Sequence, residues 1–341
     1  MMTFPPYLQD LFTSRSTPWT EADWIGKEQR CHQALIDHPE DSIGILHALK
    51  SCYYMEEKNL ECIDTCEKLL ALNPDYHLAS ETYSVMGTSY HQLYQIDKAI
   101  ACFEKGHELE PANGSCLFEL GEMHTELVEY DKAIAAFLRL LDMGDWEVES
   151  LENLGYLYTV KREYALALSY YKKGMELFPE EFFWVERIAS TYFMDKKIAE
   201  AESWFNSLLQ ADPESADAYY GLGSCKQETG DYYMAMHHFH EALKINPNHA
   251  RSLNNIGKLY FDHESDIKTA IRMLEKAVEV CQEEDSDILP TAYLNLKRIY
   301  KQIADEDKVD YYHRKFMESF GFGYEEVEEG GDDEEETEEE H

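Results

Sequence analysis

Long apolar runs are missing from this chain. The longest span only a few residues, whereas a helix that crosses a bilayer needs about 18 or more. No membrane insertion is expected. The opening stretch, MMTFPPYLQDLFTSRSTPW, lacks a basic region followed by an apolar core and a small-residue cleavage site. A cytoplasmic address is therefore expected. No two cysteines stand as CxxC: the eight are dispersed at Cys31, Cys52, Cys62, Cys66, Cys102, Cys116, Cys225 and Cys281. Small secreted scaffolds crowd their cysteines for cross-linking, and this dispersal argues against that class. Cys62 and Cys66, four apart on one side of a predicted helix, read as small core residues.

Basic residues are scarce too. The 68 Asp and Glu outnumber the 30 Lys and Arg, for a formal net charge of −38. Residues 325–341 hold 12 of the acidic side chains and no Lys or Arg, yet the rest of the chain keeps a large negative excess. Such a chain repels phosphate backbones, so neither nucleic acid nor an anionic membrane surface is an expected partner. The same excess speeds encounter with basic partners. Catalytic signatures are missing as well. There is no GxxxxGK[ST] loop, no GxSxG elbow and no HExxH order. The run MHHFHEAL sets His237, His238 and His240 together, with Glu241 four residues after His237, and reads as a solvated helix face rather than a metal site. No cofactor, metal or catalytic residue is expected, and the chain is read as non-enzymatic.

What the chain does have is repetition. Around Gly87, the residues Tyr83, Met86 and Tyr90 complete the i, i+3, i+4, i+7 stripe of one helix. A second helix carries Ala99, Phe103 and Gly106, and Pro111 stops it. The anchor recurs every 34 residues at Gly87, Gly121, Gly155, Ala189, Gly223 and Gly257. In step follow Ala99, Ala133, Ala167, Ala201 and Ala235, then Phe103, Phe137, Tyr171, Phe205 and Phe239. Pro111, Pro179, Pro213 and Pro247 close four of these repeats, and Asp145 takes the place in another. Small residues at Gly87 and Ala99 let two helix backbones approach; a larger side chain there should cost about 1–3 kcal/mol by overpacking.

Outside that run the register loosens. Leu46, Leu49, Tyr53, Cys62, Cys66, Leu69 and Pro74 form a weaker upstream repeat, and a helix near residues 20–36 caps the front. Downstream, Ala270 comes one residue late after Gly257, which places an insertion in DHESD. A last pair begins around Tyr293, Leu296 and Tyr300, after the acidic loop QEEDSDILP, and ends in a charged helix near residues 306–319.

This period and these positions resemble the tetratricopeptide repeat family over roughly residues 43–317. The resemblance implies an all-α fold: a right-handed α-solenoid of about seven antiparallel helix pairs, each needing its neighbour to bury its apolar face. The expected organisation is an extended segment over 1–19, the repeat array with its caps over 20–320, and a disordered acidic tail over 321–341.

In that family the first helix of each pair lines a concave surface that takes peptides or extended segments. The resemblance implies that the groove here is built from Phe118, Glu119, Glu122 and Glu126; then Glu149, Glu152, Asn153 and Tyr156; then Phe183, Glu186, Arg187, Ser190 and Phe193. Asp217, Tyr220 and Ser224 follow, and Arg251, Asn254, Asn255, Lys258 and Phe261 complete it. Aromatics in such places anchor a partner, and acidic residues orient its basic side chains. Some family members clamp the acidic C-terminus of chaperones with lysine, asparagine and arginine. Asn153 and Arg187 match that pattern, but Phe118 and Glu122 stand where lysine and asparagine are needed, and a glutamate repels a carboxylate. The expected role is a scaffold or adaptor for a protein or peptide segment with basic and apolar residues. The alternatives are a dedicated chaperone or inhibitor-type partner of one basic client, and a regulatory subunit of an enzyme complex. The sequence sets no oligomeric state.

Overall fold

A computed structural model describes residues 20–73, 78–281 and 288–320. The expected N-terminal segment, Pro74, most of the acidic loop after Cys281 and the acidic tail lie outside these residues. Among the described residues there are 17 α-helices and no strand, and they fall into two compact units, Met1–Phe178 and Pro179–His341.

The first unit opens with α1 (Glu21–Asp37) and continues with four helix pairs. These are α2 (Ser42–Met55) with α3 (Asn59–Leu72), α4 (Ala79–Gln92) with α5 (Ile96–Leu109), α6 (Ser115–Glu126) with α7 (Tyr130–Met143), and α8 (Glu147–Val160) with α9 (Tyr164–Leu177). The second unit holds α10 (Phe183–Met194) with α11 (Ile198–Ala211), and α12 (Ala216–Glu228) with α13 (Tyr232–Ile245). It continues with α14 (Ala250–Leu259) and α15 (Ile267–Val280), then α16 (Ile288–Gln302) and α17 (Glu306–Glu318). Eight pairs therefore stand where the sequence suggested about seven. Within each unit the two helices of a pair pack on each other, and the second helix of one pair packs on the first helix of the next.

The recurring glycine has a steric cause. A Cβ built on Gly87, Gly121 or Gly223 would come within 2.7, 2.7 and 2.6 Å of the ring sixteen residues on, that of Phe103, Phe137 or Phe239. On Gly155 it would lie 2.2 Å from Tyr171. Each ring, fully or almost fully buried, is a knob seated on bare backbone. Ala189 breaks this rule in the second unit. Its partner ring, Phe205, shares a core cluster with it and also lies against Gly221 of α12, where an added Cβ would sit 2.3 Å from the ring.

The turn inside each pair is as regular as the knob. Seven non-glycine residues adopt left-handed backbone there, with φ between +55° and +62°: Glu57, Tyr94, Val128, Arg162, Lys196, Ser265 and Ala304. Gly230 serves in the remaining pair with φ +82°. In the α6–α7 turn the Val128 amide donates to Thr125 O at 3.0 Å and the Glu129 amide to His124 O at 2.8 Å. These two bonds form a Schellman cap, which closes one helix and aims the chain into the next. The same pair of bonds recurs at Glu57–Lys58, Tyr94–Gln95, Arg162–Glu163, Lys196–Lys197, Gly230–Asp231 and Ala304–Asp305. Sequence patterning does not reveal this position, because only one of the eight residues is a glycine.

The late Ala270 also has a structural explanation. α14 runs into a π-helical turn over Tyr260–Glu264, which takes up the extra residue before Ser265 turns the chain. The insertion expected in DHESD thus begins inside the helix that precedes it. The cysteines sit mostly inside: Cys62 and Cys66 are 0% exposed, and none of the eight forms a disulfide among the described residues. Burial pushes the Cys102 thiol up to about 11 and that of Cys225 up to about 12. One charge is enclosed with them. Lys50 is 1% exposed, and its Nζ donates to Glu81 Oε1 at 2.8 Å.

Candidate functional site

In the first unit the even-numbered helices present an acidic row. Glu119, Glu122 and Glu126 stand on α6, Glu152 and Asn153 on α8, and His91 comes from α4. Burial raises the Glu119 carboxyl above its ordinary value; His91 opposes that rise and Glu126 adds to it. Burial raises Glu122 as well, the Asn153 amide pulling the other way and Glu119, Glu126 and Glu152 adding repulsion. Oε1 of Glu122 is closed to solvent and has no hydrogen-bond partner. Glu126 is exposed and lies 2.9 Å from His91 Nε2. Tyr54 of α2 feels the same charge: after burial, Glu119 is the next cause of its raised pKa. Tyr156 stands 49% exposed on the α8 face.

Phe118 is placed differently. Its ring stacks on Trp146 at 4.5 Å and meets Phe137 edge-on at 5.9 Å, within the core cluster of α6, α7 and α8. The ring is half-buried there, for a physical reason visible only in three dimensions: Trp146, with φ +51° just before α8, stacks on it.

In the second unit the first helices enclose a cavity of about 310 Å³. Glu186, Ser190 and Phe193 of α10, Asp217, Tyr220 and Ser224 of α12, and Arg251 of α14 line it, with Phe205, Gly221 and Ile288. The Phe205 ring and the bare backbone at Gly221 both face this space. Asp217 accepts a hydrogen bond from His249 Nε2 at 3.1 Å. That bond, with Arg251 and Arg187 nearby, holds the carboxyl below its usual range against the opposing effect of burial. The pocket therefore joins an apolar floor to a rim of both signs. Among the other expected groove residues, Phe183 lies at 4.3 Å from the fully buried Trp184. Asn254 is 5% exposed, and its side chain accepts from Asn295 Nδ2 and donates to Asn255 Oδ1, each at 3.3 Å. Lys258 is half-buried on α14. Phe261 belongs to the π turn, with the Arg298 guanidinium 5.7 Å from its ring centre.

Tyr54, His91, Gly221, His249 and Ile288 are the participants that sequence reasoning missed. Their signal was the helix register itself: extending the first-helix face back into the looser early repeats reaches Tyr54 and His91.

None of the helices among the described residues is long and apolar enough to cross a membrane. Within the same residues no group of three or more His, Cys, Asp or Glu is placed to hold a metal ion. His237 is exposed, His238 tilts against Tyr219, and His240 Nε2 lies 3.2 Å from the Tyr260 hydroxyl.

Profiles of the tetratricopeptide repeat family match residues 85–145, 148–181 and 214–283. Among solved structures, the chain is similar to a tetratricopeptide repeat protein from Parabacteroides merdae, with a TM-score of 0.63 at 18% identity over 75% of this chain and 99% of that one. It is also similar to YrrB, described as a TPR protein with an unusual peptide-binding site. There the TM-score is 0.44 at 20% identity, over 56% of this chain and 96% of that one. No curated protein matches the sequence.

Proposed function

This chain is a tetratricopeptide repeat protein, and from that premise we propose that it is a non-enzymatic scaffold for a protein or peptide segment carrying basic and apolar residues. The observation that carries this reading is the acidic row of the first unit. Burial and Glu126 raise Glu119, burial with Glu119, Glu126 and Glu152 raises Glu122, and one Glu122 oxygen is buried without a hydrogen-bond partner. A lysine or arginine of a bound segment would relieve the like-charge repulsion along the row. Tyr156 offers an exposed ring beside the row for an apolar contact. In the second unit the pocket floored by Phe205 and Gly221 suits one apolar side chain, and Glu186 and Asp217 stand at its rim.

The test is fluorescence anisotropy with a set of peptides that share apolar residues and differ in charge. Basic members should bind and acidic ones should not. Glu119→Gln with Glu122→Gln should weaken the basic peptides about tenfold or more, with thermal unfolding unchanged or raised. Affinity that ignores peptide charge, or survives the double substitution, would sink the proposal.

A further inference from the structure

The chain is acidic almost throughout, but residues 244–276 reverse the balance, with six Lys or Arg against four Asp or Glu. The structure gathers several of these on the second helices of the second unit. A cleft of about 460 Å³ between α13 and α15 is lined by Lys244, Arg272 and Lys276 around Leu243 and Met273. It continues along α15 into a shallower hollow of about 570 Å³, where Lys268 joins Arg272 and Lys276. Lys244 is bridged to Glu241 at 2.5 Å, and Lys276 Nζ donates to Pro247 O at 2.6 Å. Lys268 and Arg272 make no ion pair among the described residues.

Glu275 and Glu279 also line the hollow, so its basic excess is partly offset, and Glu275 is engaged on its other side. Oε1 of Glu275 accepts hydrogen bonds from the hydroxyls of both Tyr300 and Tyr312, each at 3.2 Å. This contact also fixes where the chain goes next. Tyr312 lies on α17, which ends at Glu318, about 9 Å further along the helix axis. Residues 325–341, with 12 Asp or Glu and no Lys or Arg, follow within a few residues. A strand of chain reaches about 3.3 Å per residue, so this segment has ample length to return to α15.

We propose that the acidic segment 325–341 docks on the basic cleft between α13 and α15, as an intramolecular cover for that face. The complementarity is specific in sign: within a chain that repels acidic ligands, this face attracts them. Tethering places the segment at an effective concentration on the order of millimolar, so individually weak ion pairs suffice. Their strength falls with salt, because the Debye length shrinks from about 10 Å at 0.1 M to about 3 Å at 1 M. The cleft belongs to the second unit and the acidic row to the first, and neither reading depends on the other.

Two measurements test it. The first is carbodiimide cross-linking of the full chain, dilute, with peptide mapping of the monomer band. Carboxyls of 325–341 should join to Lys244, Lys268 or Lys276, and the products should disappear in 0.5 M salt. Cross-links spread over other lysines, or no cross-link from the segment, would overturn the proposal. The second uses a labelled peptide of residues 325–341. It should bind a chain shortened to end at Tyr324 at least tenfold more tightly than it binds the full chain, where the site is covered. Lys244→Glu, Lys268→Glu, Arg272→Glu and Lys276→Glu together should abolish that difference, with helix content retained by circular dichroism. Equal binding to the full and shortened chains would overturn the proposal.

Discussion

The two units are built to one plan and dressed differently. Each contains four helix pairs joined by left-handed turns, and each seats buried rings on small residues. Yet the first unit turns an acidic row outward, whereas the second encloses a pocket with arginines beside Asp217. The difference shows how the labour is divided along a helix. Positions that hold the next helix are restricted by contact to glycine, alanine or an aromatic ring. Positions one step around the helix touch less and are free to vary in charge. Ala189 shows that even the restricted positions trade with one another. Its methyl stands where the other pairs have a glycine, Phe205 also lies on Gly221, and both ring and glycine line the pocket.

The largest effect expected from breaking this comparison is Gly155→Ala. The new methyl group collides with Tyr171, so urea denaturation should show the first unit losing about 2–3 kcal/mol. The reciprocal change, Ala189→Gly, removes a methyl and should cost the second unit only about 1 kcal/mol, from helix propensity. With Trp19, Trp24 and Trp204 replaced by Phe, single-Trp variants at Trp146 or Trp184 would report the two units separately, since a chain with two compact units need not unfold in one step. Equal losses would mean that the seat is not what restricts the ring.

Next in size is Glu81→Ala. It leaves the Lys50 ammonium in the first unit's core without its carboxylate, and should lower that unit's stability by about 2 kcal/mol in the same denaturation. A third test exchanges the turn residues. Val128 holds a left-handed conformation that a β-branched side chain resists, so Val128→Gly should stabilise the first unit by about 1 kcal/mol. Gly230→Val should cost the second unit a similar or larger amount. The opposite sign at either site would refute the strain account.

The smallest effect concerns pH. The folded pKa values of Glu119 and Glu122 are raised, so the folded state binds more protons than the unfolded one just above the ordinary carboxylate value. Stability should therefore fall as pH rises through that window, and Glu122→Gln should flatten the fall while adding a few tenths of a kcal/mol at pH 7. Asp217 works the other way. Its folded pKa is lowered, so the stability it contributes is present at neutral pH and lost as pH falls through the folded value. Melting curves from pH 4 to 7 for Glu122→Gln and Asp217→Asn should diverge in opposite directions.

The sequence made the scaffold legible because its knobs and seats are restricted residue by residue: Gly121 with Phe137 and Gly155 with Tyr171 repeat in register. The turns were hidden because Val128, Arg162 and Lys196 adopt their conformation under the pull of cap hydrogen bonds, without a glycine or asparagine to announce it. The face was half legible. Register placed Glu119, Glu122 and Tyr220 correctly on first helices, but could not know that Trp146 covers Phe118. Ile288 escaped for another reason: the acidic loop before it breaks the period, so no count from Gly257 reaches it.

The π turn at Tyr260–Glu264 carries a lesson about how such a chain can change over time. An added residue in a connecting loop would shift the aim of every helix after it. Widening one helical turn absorbs the same residue locally, and α15 still lays Leu274 against Gly257. Helix ends are thus places where the array can accept single-residue edits without re-addressing its remaining pairs, which lets sequence length drift while the surface it displays stays in order.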